Sequence, residues 1–132
     1  MLSQILEHVQ DVQNWIQKAH TLLSNDGLIV VALPNFDNLT RMILQEKEPY
    51  ICPPAHLNYF NKTSLVKLLE SNGFQIEKVE FDSRIPLSSI EKRMILKKNT
   101  VPIFNIAVKI ILKIMNLTGR GIMLNVYARK VS

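Results

Sequence analysis

The chain has 132 residues, 47% hydrophobic and 20% charged, which is one domain's length with an ordinary globular composition and excludes a disordered or low-complexity protein. Its net charge of +5 conceals a division: residues 1–83 hold six Lys/Arg against ten Asp/Glu, and residues 84–132 hold ten Lys/Arg against Glu91 alone. No nucleic-acid motif accompanies that basic tail and no aromatics are interleaved with it, so nucleic acid is not the expected partner.

Met1–Val9 contains Glu7 and His8 and has neither a basic start nor a small-residue cleavage site. It does not read as a signal peptide, and the cytoplasm is the expected compartment. Asp11 is a plausible N-cap. Val12, Trp15, Ile16, Ala19, Leu22 and Leu23 then recur at three- and four-residue steps, which predicts a helix with one buried face. Gly27 ends it, where a left-handed residue costs least. Leu28–Leu33 is an unbroken apolar run with three β-branched residues, as in a strand covered on both faces, and Pro34 stops it.

Residues 36–46 predict a short helix with Leu39, Met42 and Ile43 on one face. A loop follows, punctuated by Pro49, Pro53 and Pro54. It contains the one cysteine, Cys52, which cannot form an internal disulfide and has no evident activating neighbour. Asn61 or Thr63 caps a helix striped by Leu65, Leu68 and Leu69 and ended by Gly73. Phe74–Asp82 alternates as a half-wet strand with a slip at Lys78. Pro102–Leu117 is a strongly apolar helix with a narrow polar stripe of Asn105, Lys109, Lys113 and Asn116, and Gly121 precedes a last strand over Ile122–Arg129.

This order resembles the C-terminal half of a class I S-adenosylmethionine-dependent methyltransferase, of the small-molecule type 11/23 kind. The resemblance is carried by Leu6-Glu7-His8-Val9, by Asp26-Gly27 with Pro34-Asn35, by Pro54-Ala55-His56-Leu57-Asn58-Tyr59-Phe60, and by Gly73-Phe74. It implies an α/β fold: the C-terminal half of a Rossmann-like sheet, with Leu28–Leu33, Phe74–Asp82 and Ile122–Arg129 as strands 5, 6 and antiparallel 7. Residues 1–132 would be a single, partial methyltransferase domain, with 84–118 a basic, apolar helical insertion between the last two strands. The family's glycine-rich cofactor loop lies before the first residue, so the chain alone is expected to bind S-adenosylmethionine weakly or not at all. Leu28–Leu33 would then be an open edge, which predicts a homodimer or a separate chain supplying the first half.

What the resemblance implies for the site is as follows. Leu6, Glu7 and His8 lie near the methionine end of the cofactor, and His8 can act as a general base toward a small-molecule methyl acceptor; the bland alternative is a capping pair. Asn35 faces a polar substrate or merely forms a turn. His56, Tyr59 and Phe60 fold over the substrate, with His56 a second candidate base, or else Leu57 and Phe60 simply pin the loop. Relatives usually carry Glu before this His, whereas this chain has Ala55, which weighs against a charge-assisted role. His8, His20 and His56 match no ligand spacing, and no metal is expected. The Pro102–Leu117 helix suits a lid, a dimer contact, or an anionic membrane surface reached through Lys92, Arg93, Lys97 and Lys98. In that last case the chain is a non-catalytic module binding a partner or a membrane.

Overall fold

The computed structural model describes residues 1–47, 53–83 and 101–131. Pro49, Cys52 and the upstream part of the expected insertion, with Glu91, Lys92, Arg93, Lys97 and Lys98, lie outside the described residues. The elements run β1 (Leu2–Ser3), α1 (Val12–Leu22), β2 (Leu28–Pro34), α2 (Leu39–Leu44) with a 3-10 turn at Gln45–Lys47, α3 (Lys62–Glu70), β3 (Phe74–Asp82), α4 (Val101–Leu117) and β4 (Met123–Lys130).

The strands form one mixed sheet in the order β1-β2-β4-β3. β1 is parallel to β2, and β4 runs antiparallel between β2 and β3, as expected of the last strand. The register between β3 and β4 shifts between Ile76 and Lys78, where the alternation slips in the sequence. One expectation is corrected. Leu28–Leu33 is not open along its whole length, because Leu2 and Ser3 pair with Val31 and Ala32 on the side away from β4. Its apolar run is explained by burial on both faces: Ile29, Val31, Ala32 and Leu33 are all buried.

The core joins that strand to Leu6, Ile16, Leu65, Leu69, Phe74, Leu124, Val126 and Ala128. The Asp11 side chain caps α1 by accepting the Asn14 amide at 2.9 Å. The buried seam of α1 is narrower than its apolar stripe. Ile16 faces the core, flanked by Val12, Ala19 and Leu23, whereas Trp15 and Leu22 are exposed. At about 100° per residue both sit some 100–120° from Ile16 around the helix, on the same side and well off the seam. In α2 the expected apolar face also fails to bury, since Met42 and Ile43 are exposed and no residue of that helix is buried. Asn61, not Thr63, caps α3 in a reciprocal capping box with Ser64.

The turn after α1 differs from expectation in its chemistry. Asp26 is the left-handed residue, at φ +59°, and Gly27 is there for space: a Cβ would lie 2.8 Å from the Ser24 carbonyl oxygen. Asn116, at the end of the polar stripe of α4, accepts from Ser83 Oγ at 2.7 Å, while the same Ser83 oxygen accepts the Ile122 amide at 3.0 Å. That relay fastens the end of α4 to the junction of β3 and β4. Among the described residues no helix is long and apolar enough to cross a membrane.

Leu124 is fully buried at the centre of the sheet. Leu124→Ala is expected to lower unfolding free energy by about 2–5 kcal/mol, through lost transfer energy and the cavity left behind. Urea denaturation checks this, as a lower midpoint at unchanged slope.

Candidate functional site

β1 and β2 are parallel, so their carboxyl ends open on one edge of the sheet, where open α/β sheets gather ligands. After Ser3 the chain leaves the sheet through Gln4, at φ +51°, and turns back with the His8 amide donating to the Ile5 carbonyl at 3.0 Å. This tight turn sends successive side chains in different directions. Leu6 enters the hydrophobic core, Glu7 is buried at 3% exposure, and His8 points outward.

A second segment, residues 55–60, is strapped onto this turn from about 50 positions away. The Leu57 and Asn58 amides both donate to the Glu7 carbonyl, at 2.7 and 3.1 Å. The Asn58 carboxamide donates to the Leu6 and Val9 carbonyls at 3.0 and 2.6 Å. Farther along, Phe60 forms a bridge with Asn35, and the Phe36 amide donates to the Phe60 carbonyl at 2.7 Å. Backbone groups that an irregular loop would otherwise bury unpaired are thereby satisfied.

The strapping brings two histidines together. The His8 and His56 rings are edge-on at 4.7 Å, and Tyr59 stands 6.4 Å beyond His56. Tyr59 in turn tilts against Phe36 at 5.4 Å, and the Arg41 guanidinium lies 4.0 Å over the Phe36 ring. His8 Nδ1 sits 2.6 Å from the Ala55 carbonyl oxygen. A carbonyl can only accept, so Nδ1 carries the proton, and in the neutral ring the lone pair resides on Nε2. That atom is 4.0 Å from Glu7 Oε1, and Glu7 Oε2 is buried with no hydrogen-bond partner among the described residues. Ligand atoms of Glu7, His8 and His56 all fall within 4.8 Å of one another. The arrangement can take up a proton, hold a cation, or seat a flat or apolar molecule against Tyr59.

The expected site residues thus divide. Glu7, His8, His56 and Tyr59 meet at one edge. Leu6 and Phe60 face the core instead. Asn35, at 1% exposure, is turned into the protein, where its amide donates to the Gly119 and Gly121 carbonyls at 3.2 and 2.8 Å and its oxygen accepts the Asp37 amide. His20 lies elsewhere, edge-on to Phe74 at 5.1 Å. Asn58, Phe36 and Arg41 were not expected at the site. Nothing local announces Asn58, because its partners are distant in sequence, whereas Phe36 directly follows the flagged Pro34-Asn35 pair.

A family model described as "Methyltransferase domain" matches residues 1–79, a span that contains Glu7, His8, His56 and Tyr59. The fold is similar to that of a SAM-dependent methyltransferase from Archaeoglobus fulgidus, with a TM-score of 0.61 and 19% identity over 98% of this chain and 57% of that one. It is also similar to an S-adenosylmethionine-dependent methyltransferase from Mesorhizobium loti, with a TM-score of 0.55 and 16% identity over 97% of this chain and 59% of that one. The chain therefore spans less than two thirds of either protein's length. No curated protein matches it.

Asn58→Ala removes both carboxamide bonds to the Leu6 and Val9 carbonyls. A cost of about 1–3 kcal/mol is expected for the carbonyls left unsatisfied. Amide hydrogen exchange at Leu57 is expected to speed up while exchange in β4 changes little beyond the global loss.

Proposed function

Because the chain belongs to the methyltransferase-domain family, matched over residues 1–79, we propose that it serves the acceptor side of an S-adenosylmethionine-dependent methyl transfer to a small molecule. The observation that carries this reading is the meeting of Glu7, His8, His56 and Tyr59 at the carboxyl edge of two parallel strands. S-adenosylmethionine, when bound, supplies a methyl group on a positively charged sulfur. The residues present fit its charged end, since Glu7 offers a buried carboxylate oxygen that no group among the described residues satisfies.

His8 is the proton acceptor in this reading. Its Nδ1 proton is engaged by the Ala55 carbonyl, which leaves Nε2 as the basic atom of an exposed side chain. His56 stands against it and Tyr59 beyond, so an acceptor hydroxyl or amine entering from solvent meets an imidazole lone pair beside an aromatic face. The strap through Asn58 keeps the two histidines at fixed separation, and positioning of that kind lowers the barrier of a bimolecular transfer. NMR titration of the full chain with S-adenosylhomocysteine tests the reading. Shift changes confined to residues 4–8 and 55–59 are expected, and a spectrum that does not move at saturating ligand would overturn it.

A second reading is favoured by α4. Its outward arc carries Ile103, Ile106, Ile110, Ile111, Ile114 and Leu117, all exposed, and Lys109 and Lys113 border one side of the arc. An apolar arc with flanking lysines suits a helix lying in an anionic lipid interface, the lysine stems reaching back to the headgroups. Two copies meeting there would bring together tails that each hold ten Lys/Arg against one Glu, which disfavours a homodimer on this face. The two readings are compatible, with the acceptor then drawn from the membrane. Co-sedimentation with phosphatidylglycerol vesicles, absent with phosphatidylcholine and abolished in Lys109→Glu/Lys113→Glu, is the expected outcome.

A further inference from the structure

We propose that Glu7, His8 and His56 form a binding site for one divalent transition-series cation, of the zinc, manganese or iron(II) kind. The inference stands on the geometry alone and does not depend on the methyl-transfer reading.

Burial supplies the first argument. Glu7 is a carboxylate at 3% exposure, and its Oε2 has no hydrogen-bond partner among the described residues. A buried carboxylate left in that state is costly unless it is paired or bound to a metal. Among the described residues the cationic candidate beside it is His8, whose Nε2 is 4.0 Å from the other oxygen, Oε1. That is too long for a hydrogen bond, and an ion pair there would still leave Oε2 unsatisfied.

Tautomer supplies the second. Ala55 holds the proton of His8 on Nδ1 through a 2.6 Å contact, so Nε2 presents a lone pair toward the carboxylate. Two electron-rich atoms facing one another across 4.0 Å repel unless something positive lies between them. A metal-bound histidine commonly has this arrangement, with the far ring nitrogen donating to a backbone carbonyl that fixes its orientation. Ala55 is thus the outer partner and Nε2 the ligand.

Spacing supplies the third. The three candidate ligand atoms lie within 4.8 Å of one another. Metal–nitrogen and metal–oxygen bonds of about 2.0–2.2 Å set ligand–ligand separations of roughly 3–4 Å. A small rotation of the outward-facing His8 or of His56 closes the difference. Two imidazoles and one carboxylate select transition-series ions over magnesium or calcium, which favour all-oxygen shells. Three protein ligands also leave open positions toward solvent, where an oxygen of a small molecule can enter. His20, the third histidine of the chain, takes no part, since it packs against Phe74.

Cobalt(II) titration of the chelator-treated full chain, followed by visible absorption, with zinc competition by calorimetry, tests the site. One-to-one saturable binding is expected. Glu7→Gln and His56→Ala should each weaken it about tenfold or more, with His20→Gln unchanged. His56 lies in a loop, so its variant separates ligation from folding if the buried Glu7→Gln fails to fold. No saturable binding by the unsubstituted chain overturns the proposal. So does binding that survives His56→Ala, or a thiolate-to-cobalt charge-transfer band that puts the ion on Cys52. Binding of cobalt by a chain that does not respond to S-adenosylhomocysteine would sink the methyl-transfer reading and leave this one standing.

Discussion

The candidate site depends on the backbone carbonyl of Glu7. It accepts the amides of both Leu57 and Asn58, and the Asn58 side chain closes the clasp on the Leu6 and Val9 carbonyls on either side. Two irregular segments are in this way made into one surface. Neither has regular secondary structure to hold it, and each uses the other to satisfy polar groups that the fold buries. The same clasp explains how an acidic side chain comes to be buried. The turn that offers the Glu7 carbonyl to the loop also carries its carboxylate inward, beneath the two imidazoles, where solvent does not reach Oε2.

A second weld joins the site to the sheet. Asn35, at the end of the apolar strand Leu28–Pro34, grips the carbonyls of Gly119 and Gly121, just ahead of the strand that runs back between its two neighbours. Leu39 donates its amide to the Arg120 carbonyl, and Arg120 reaches back to the Asp37 carbonyl. The long apolar helix Val101–Leu117 therefore ends beside the same sheet edge that carries the histidines. Its inward side is anchored by Met115 and Asn116, while the isoleucines along its other side remain exposed. A helix apolar on opposite sides has one more face than the described residues cover.

Much of the fold was legible in the sequence because its signals are local. An unbroken run of β-branched residues marked the doubly covered strand, a slip in alternation at Lys78 marked the bulge, and Asp11 and Asn61 marked helix starts with their own side chains. Misreadings arose where an element's pattern exceeds what its neighbours cover. Trp15, Leu22, Met42 and Ile43 keep helical spacing yet stay exposed, because periodicity says which residues share a face and not how wide a seam the sheet provides. In the site, His8 and His56 could be flagged from their motifs, but not their contact, which rests on bonds made by Asn58 across about 50 residues. Asn35 illustrates the converse. A polar residue after proline reads as a surface turn, and here its amide is spent wholly inside the protein.

One backbone atom sets the chemistry open to this edge. The Ala55 carbonyl can accept a hydrogen bond but never donate one, so it dictates which nitrogen of His8 holds the proton whatever side chain stands at position 55. His8 Nε2 is then a lone pair facing a carboxylate across a 4.0 Å gap. Such an atom can take a proton from an acceptor or coordinate a cation, but it cannot donate in its neutral form. The two uses draw on the same lone pair and are mutually exclusive at any instant. A cation held there would occupy the Nε2 lone pair, displace His8 from proton acceptance and supply a Lewis acid at this edge. Glu7 favours that second use, because one positive ion satisfies both the buried carboxylate and the lone pair that faces it.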